Sequence, residues 1–160
     1  MESPVKLQLL MDSLERCAEE LGDITPAVMT AYYQSFPEAF ERFNTLYPNE
    51  HERLEGEMVE QVLFCLMRWY EAPGEIKITI MSTVFHHIET LHVDAAMFTG
   101  LITAVCDTVV GTIPGDKPGE RAVWDELQAI LADMVAQSGA MITQRDKRSA
   151  SSIVVCPARH

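Results

Sequence analysis

Apolar residues recur three and four positions apart along almost the whole chain, in stretches that prolines and glycines separate. Two stretches open with a cap residue followed by proline, at Ser3-Pro4 and Thr25-Pro26, where proline suits the first turn of a helix. Gly22 and Pro73-Gly74 each end a stretch. Such periodicity is typical of helices that pack by their apolar faces, and the stretches number about six. We therefore predict an all-α fold.

One segment has a different period. Ile76, Ile78 and Ile80 alternate with polar residues, as in a strand. No other part of the chain offers a partner strand, and an isolated hairpin would be only marginally stable. We therefore expect residues 76–83 to form a poorly ordered approach to the helix that follows.

The end of the chain differs in composition from the rest. The last helical pattern runs from about Gly119 to Gly139, and from Arg145 the sequence is polar and has no period. We predict one domain over residues 1–142 and a flexible C-terminal tail over residues 143–160.

Charge and cysteine content narrow the classes of function. The net charge is −12, which argues against nucleic acids and anionic membranes as partners, because both bind basic patches. Cys65 and Cys106 fall in apolar helical stretches, which predicts buried, reduced thiols. The N-terminus lacks the apolar core of a signal peptide, and the longest apolar run is too short to span a bilayer. We expect a cytoplasmic protein.

His87 is the histidine with the most informative neighbours. At helical spacing it shares a face with Val84 and Leu91, whereas His86 shares a face with polar residues, so His87 is predicted to point inward and His86 outward. An imidazole on an apolar face has two interpretations. It is either a core histidine bonded to a backbone carbonyl or the axial ligand of a haem iron.

The sequence that follows His87 resembles a known family. The order of residues in His87–Leu101 is similar to the proximal helix, corner and next helix of the globin family, and Asp94 suits the cap of that next helix. A proline followed by Phe43 resembles the globin segment whose phenylalanine stacks on the haem, and Trp124 resembles an aromatic residue in the last helix of many bacterial globins. The resemblance covers about residues 1–139. It implies a globin-like fold of six to eight helices around a haem pocket.

The same resemblance implies a cofactor and the residues that hold it. The cofactor would be haem b, with His87 as the proximal iron ligand and Phe43 against the porphyrin face. No catalytic residue is implied. The other residues implied to line the cofactor are Leu54, Met58, Val62, Leu91, Val93, Met97, Phe98 and Leu101.

The predicted distal side departs from the family pattern. The best register puts Met58 where most globins have His or Gln, with Val62 one turn later, and a shift of one turn gives Leu54 and Met58. Neither register brings an obvious hydrogen-bond donor to the sixth coordination position, and such an apolar side should favour CO or NO over O₂. Met58 is either a thioether ligand of the iron or a core residue. His92 is either the partner of a haem propionate or a solvent-exposed histidine.

Three further side chains are candidates for polar roles near the site. Tyr32 or Tyr33 would supply a donor from the second helix, although their register relative to Phe43 favours neither. His51 lies between Glu50 and Glu52, where a metal site is conceivable, but a surface histidine is the favoured interpretation.

The resemblance implies a haem protein that reversibly binds a diatomic gas (O₂, CO or NO) for sensing, transport or redox handling. The partners expected are the gas, an electron-transfer protein and a second copy of the chain. The competing hypothesis is a haem-free globin-fold regulatory or protein-interaction module that dimerises through its last two helices. No nucleophilic triad, phosphate loop or zinc motif occurs, so we do not predict an enzyme, and any redox activity would come from the haem.

Overall fold

Seven α-helices make up the regular structure of residues 1–152, the part of the chain that the computed structural model describes. They are α1 (Ser3–Leu21), α2 (Thr25–Ser35), α3 (Pro37–Leu46), α4 (His51–Arg68), α5 (Pro73–Glu89), α6 (Ala95–Val110) and α7 (Pro118–Ser151). These residues contain no strand, so the prediction of an all-α fold with six to eight helices is confirmed. None of the seven helices is long and apolar enough to cross a bilayer.

The core is built around α7, which packs against α1, α5 and α6. Trp124 of α7 is fully buried, and its indole Nε1 donates to the hydroxyl of Ser13 at 2.7 Å. One turn earlier, the carboxylate of Glu120 is 3% exposed and accepts two hydrogen bonds from the guanidinium of Arg16. These polar contacts fix α1 on α7 without leaving a buried group unpaired.

The segment of alternating isoleucines belongs to α5, so the prediction of a poorly ordered approach is wrong. Pro73 lies in the first turn of α5, where its fixed φ helps to start the helix. Ile76 and Ile80 are buried at a spacing of four residues, and Val84 continues the stripe, whereas Ile78 is 69% exposed. The buried stripe therefore has the helical period.

The last helix does not end near Gly139 as predicted, because α7 continues to Ser151. A Cβ at position 139 would lie 3.1 Å from the Cβ of Ala95, so this glycine lets two helices approach closely and does not stop one. Residues 140–151 contain no proline and many good helix formers.

The predicted flexible tail is helical as far as the structure describes it. Arg145, where an irregular chain was expected to begin, lies within α7 and contacts the carboxylate of Glu89. The rest of the predicted tail, residues 153–160, lies outside the described residues, as does Cys156.

Several local predictions are confirmed. Cys65 and Cys106 are buried free thiols. Asp94 caps α6, since its Oδ1 accepts a hydrogen bond from the backbone N–H of Met97 at 2.8 Å. His86 is exposed and His87 is half-buried, as their spacing indicated.

Candidate functional site

A cavity of about 300 Å³ lies between α3, α4, the end of α5 and the start of α6. Its lining is mostly apolar, as is usual for sites that bind small molecules or cofactors. All ten residues predicted to hold a cofactor line this one cavity: Phe43, Leu54, Met58, Val62, His87, Leu91, Val93, Met97, Phe98 and Leu101. The structure thus brings together side chains from four helices and a corner.

His87 lies near the C-terminal end of α5, with its ring orientation set by its own helix. Its Nδ1 is 2.7 Å from the carbonyl oxygen of Thr83, one turn earlier. Because a carbonyl only accepts hydrogen bonds, Nδ1 carries the proton and Nε2 of the neutral ring carries the lone pair. The ring of Phe98 meets the imidazole edge to face, with 5.2 Å between ring centroids. Both contacts restrain the plane of the imidazole.

The protonation state of His87 follows from its burial. Burial lowers the pKa of His87 below its ordinary value of 6.5, against an opposing effect of the Thr83 hydrogen bond. Nε2 forms no hydrogen bond within residues 1–152. Every fully buried side-chain nitrogen or oxygen in these residues has a hydrogen-bond partner. Nε2 is therefore not fully buried and is accessible to a ligand. A neutral imidazole with an accessible Nε2 is the form that coordinates a metal.

The corner between α5 and α6 is held by backbone contacts. The N–H of Val93 donates to the carbonyl of His87 at 3.0 Å. Nη1 of Arg42, from α3, donates to the carbonyl of Leu91 at 3.1 Å and also to that of His92. His92 has a φ of 53°, a left-handed conformation that residues other than glycine seldom adopt. These contacts fix Leu91 and Val93 in the cavity wall.

The α4 wall includes the three residues predicted from either register and two polar ones, Glu57 and Gln61. The amide Nε2 of Gln61 is 4.0 Å from the sulfur of Cys65, a weak contact that leaves the amide available to a ligand. The predicted apolar side therefore has a hydrogen-bonding group that sequence reasoning missed. Gln61 is three residues after Met58, so helical spacing was the signal that could have found it.

Phe43 also contacts a small polar cluster outside the cavity. The ring of His51 meets Phe43 edge to face at 6.2 Å between centroids. Nδ1 of His51 contacts the carboxylate of Glu55, and Nε2 lies 3.4 Å from the hydroxyl of Tyr33. The side chain of His51 is 18% exposed, so its interpretation as a surface histidine is wrong. No group of three or more metal-ligating side chains occurs in the described residues, at His51 or elsewhere.

The hydroxyls of the two neighbouring tyrosines are committed to other partners. Tyr32 lines the cavity, but its hydroxyl donates to the carbonyl of Met97 at 3.0 Å. Tyr33 belongs to the His51 cluster. Burial raises the pKa of both phenols, so both stay protonated at neutral pH.

The remaining lining residues were not in the predicted set. They are Tyr32, Ala39, Arg42, Leu46, Tyr47, Glu57, Gln61, Thr83 and His86. Most are polar or lie near the end of a helix, so the spacing of apolar residues in the sequence does not predict that they line the cavity.

No protein-family model, curated protein or solved structure matches this chain. What the molecule binds must be inferred from the geometry of this cavity.

Proposed function

We propose that this protein binds haem b in the cavity at His87 and reversibly binds a diatomic gas at the iron. The observation that carries the proposal is the state of His87. It is a neutral imidazole whose Nδ1–H is held by Thr83 and whose Nε2 is accessible in the wall of an apolar cavity.

The residues of the cavity fit an iron porphyrin. The macrocycle supplies four nitrogen ligands of its own, so the protein needs to provide one axial imidazole and an apolar surround. One histidine on an apolar wall meets this need, whereas a bare metal ion would need several protein ligands. Phe43 and Phe98 add flat aromatic surface on two sides of the cavity.

The neighbours of His87 would support its role as a ligand. The Thr83 carbonyl fixes the tautomer and makes the imidazole a stronger donor to a metal, as outer hydrogen bonds do in other metal sites. Phe98 restrains the rotation of the ring, and the Val93–His87 backbone hydrogen bond holds the corner beside it.

The residues of the α4 wall would determine which gas binds at the iron. Bound haem supplies the iron to which the gas coordinates. Met58 and Val62 present apolar surface, and the amide N–H of Gln61 is the donor available to a polar iron–dioxygen unit. We therefore infer that O₂ is held as well as CO and NO. An electron-transfer partner and a homodimer stay predictions from the sequence.

The test is an absorption titration of the purified protein with hemin, in the ferric and ferrous-CO forms. The wild type should give a sharp Soret band, and His87→Ala should lose or shift it. His86→Ala removes the other imidazole in the cavity lining and should keep the band, because His86 is exposed and only His87 is oriented by the Thr83 carbonyl. If the wild type gives only the broad spectrum of free hemin, the haem proposal fails and the haem-free regulatory module becomes the better hypothesis.

A further inference from the structure

Arg42 lies on α3 where the cavity opens to the surface. It lines the cavity and also a neighbouring surface groove of about 470 Å³. Leu46 and Leu91 are shared between the two in the same way. A ligand in the cavity would therefore reach the surface beside the guanidinium of Arg42.

Arg42 has no carboxylate partner among residues 1–152, unlike most of the arginines there. Those that pair with a carboxylate are Arg16, Arg53, Arg68 and Arg145. Arg121 and Arg148 also form no such pair within the described residues, but neither lines the cavity. Glu38 and Glu41 line the groove with Arg42, yet neither lies within ion-pair distance of it. In a chain with 24 acidic side chains, a half-buried arginine without one is informative.

The guanidinium of Arg42 is anchored but only partly used. Its Nη1 donates to the carbonyls of Leu91 and His92, which holds the group against the corner. Nε and Nη2 form no hydrogen bond within the described residues. Arginine presents its N–H donors in a planar fork that matches the two oxygens of a carboxylate. The anchored group is therefore already oriented for an anion.

We propose that Arg42 binds a carboxylate of the molecule that occupies the cavity. The site would then select an apolar ligand that carries an acid group at one edge, which in haem is a propionate. Glu57, in the cavity, and Glu38 and Glu41, in the groove, oppose an anion there, so the guanidinium supplies the attraction. The identity of this ligand rests on the proposed function, but the subsite does not require iron.

The experiment compares metal-free protoporphyrin IX with its dimethyl ester, by fluorescence titration. The ester keeps the apolar macrocycle and removes both carboxylates. The wild type should bind the free acid more tightly than the ester. Arg42→Gln should weaken binding of the free acid by roughly 10- to 100-fold, the usual effect of losing a hydrogen bond to a charged group, and leave the ester unchanged.

Two further variants separate this role from a structural one. Arg42→Lys keeps the charge and should retain part of the preference for the acid. Arg53→Gln removes an exposed arginine of α4 and should change neither titration. If Arg42→Gln weakens the acid and the ester equally, Arg42 only braces the corner and the inference is overturned.

Failure of this inference is distinguishable from failure of the proposed function. If the wild type binds protoporphyrin IX and its dimethyl ester equally, the carboxylate subsite is overturned. This holds whatever the variants show, and the proposed function still stands if hemin binds. A wild type that binds neither porphyrin nor hemin overturns both.

Discussion

At the scale of single residues, the proton on His87 links binding to stability. Burial lowers the pKa of His87, so the unfolded chain takes up a proton there at a higher pH than the folded chain does. Above the ordinary pKa of 6.5 both states are neutral at this residue and it adds no pH dependence. As the pH falls below 6.5 the unfolded state is favoured, until the folded-state pKa is also passed.

This sign gives a prediction for the apoprotein. The free energy of unfolding of the wild type should fall, relative to that of His87→Gln, as the pH drops from about 7 to about 5. Urea unfolding at a series of pH values measures both proteins under the same conditions. The difference between them removes the contribution of the other histidines to the pH dependence. A difference that is constant across this range would show that His87 has an ordinary pKa.

Gln61 is the residue predicted to distinguish gases. Gln61→Leu should raise the O₂ dissociation rate of the ferrous haem complex roughly three- to tenfold, the effect of losing one hydrogen bond. CO accepts such a bond weakly, so its dissociation rate should change less than about twofold. Stopped-flow measurements on both gases provide the comparison, with Met58→Leu as a control of similar volume. Equal changes for O₂ and CO would mean that Gln61 only fills space.

The candidate site was predictable from the sequence in part. His87 and its apolar neighbours were predicted from helical spacing and from the resemblance of His87–Leu101 to the proximal segment of globins. Arg42 could not be found this way, because its contacts lie 49 and 50 residues further along the chain. Gln61 was missed since the apolar pattern sorts residues by hydropathy and overlooks a polar side chain on the same face.

At the scale of elements, glycines decide how closely helices approach. A Cβ on Gly100 of α6 would lie 2.1 Å from a ring atom of Phe36, so the aromatic ring occupies the space that the glycine leaves. Gly139 plays a similar part against Ala95. The sequence alone could not show that Gly139 lies inside a helix and does not end one, because its role depends on Ala95 of another helix.

Gly100→Ala should therefore destabilise the protein by about 1–3 kcal/mol, the usual cost of overpacking. Gly56→Ala is the matched control, since a Cβ there meets nothing within 4 Å and position 56 is inside α4. This control should stabilise the protein by about 0.5–1 kcal/mol through helix propensity. Urea denaturation compares the two. Equal effects would show that Phe36 moves aside freely.

The α5 helix shows why its local pattern was misleading. Ile76, Ile78 and Ile80 alternate over five residues, too short a window to separate a period of two from one of 3.6. The burial of Ile76 and Ile80 comes from packing against other helices, which the window does not contain. The all-α class was predictable nevertheless, since the pattern holds over the other long stretches.

At the scale of the whole molecule, residues 143–151 of α7 extend beyond the packed domain. Ile142 is the last buried residue of the helix, and the described residues beyond it are exposed. Arg145 links this extension to the domain, since it pairs with Glu89 and lies over the ring of Phe85 at 4.8 Å. Residues 145–160 also hold four of the 12 basic side chains but only one of the 24 acidic ones.

A chain that ends at Gln144 should therefore fold and bind hemin as the full chain does. It loses one partly exposed ion pair and one cation–π contact, which together contribute about 1–2 kcal/mol at most. Thermal unfolding and the hemin titration measure the two properties. Loss of hemin binding at unchanged stability would show that the extension belongs to the functional domain.

The central claim is that Nε2 of His87 coordinates a haem iron, and a His87→Gly variant titrated with imidazole tests it most directly. The variant should bind hemin poorly, and added imidazole should restore a sharp Soret band by replacing the missing side chain. His86→Gly should need no imidazole. A His87→Gly protein with the wild-type spectrum, before any imidazole is added, would contradict the account.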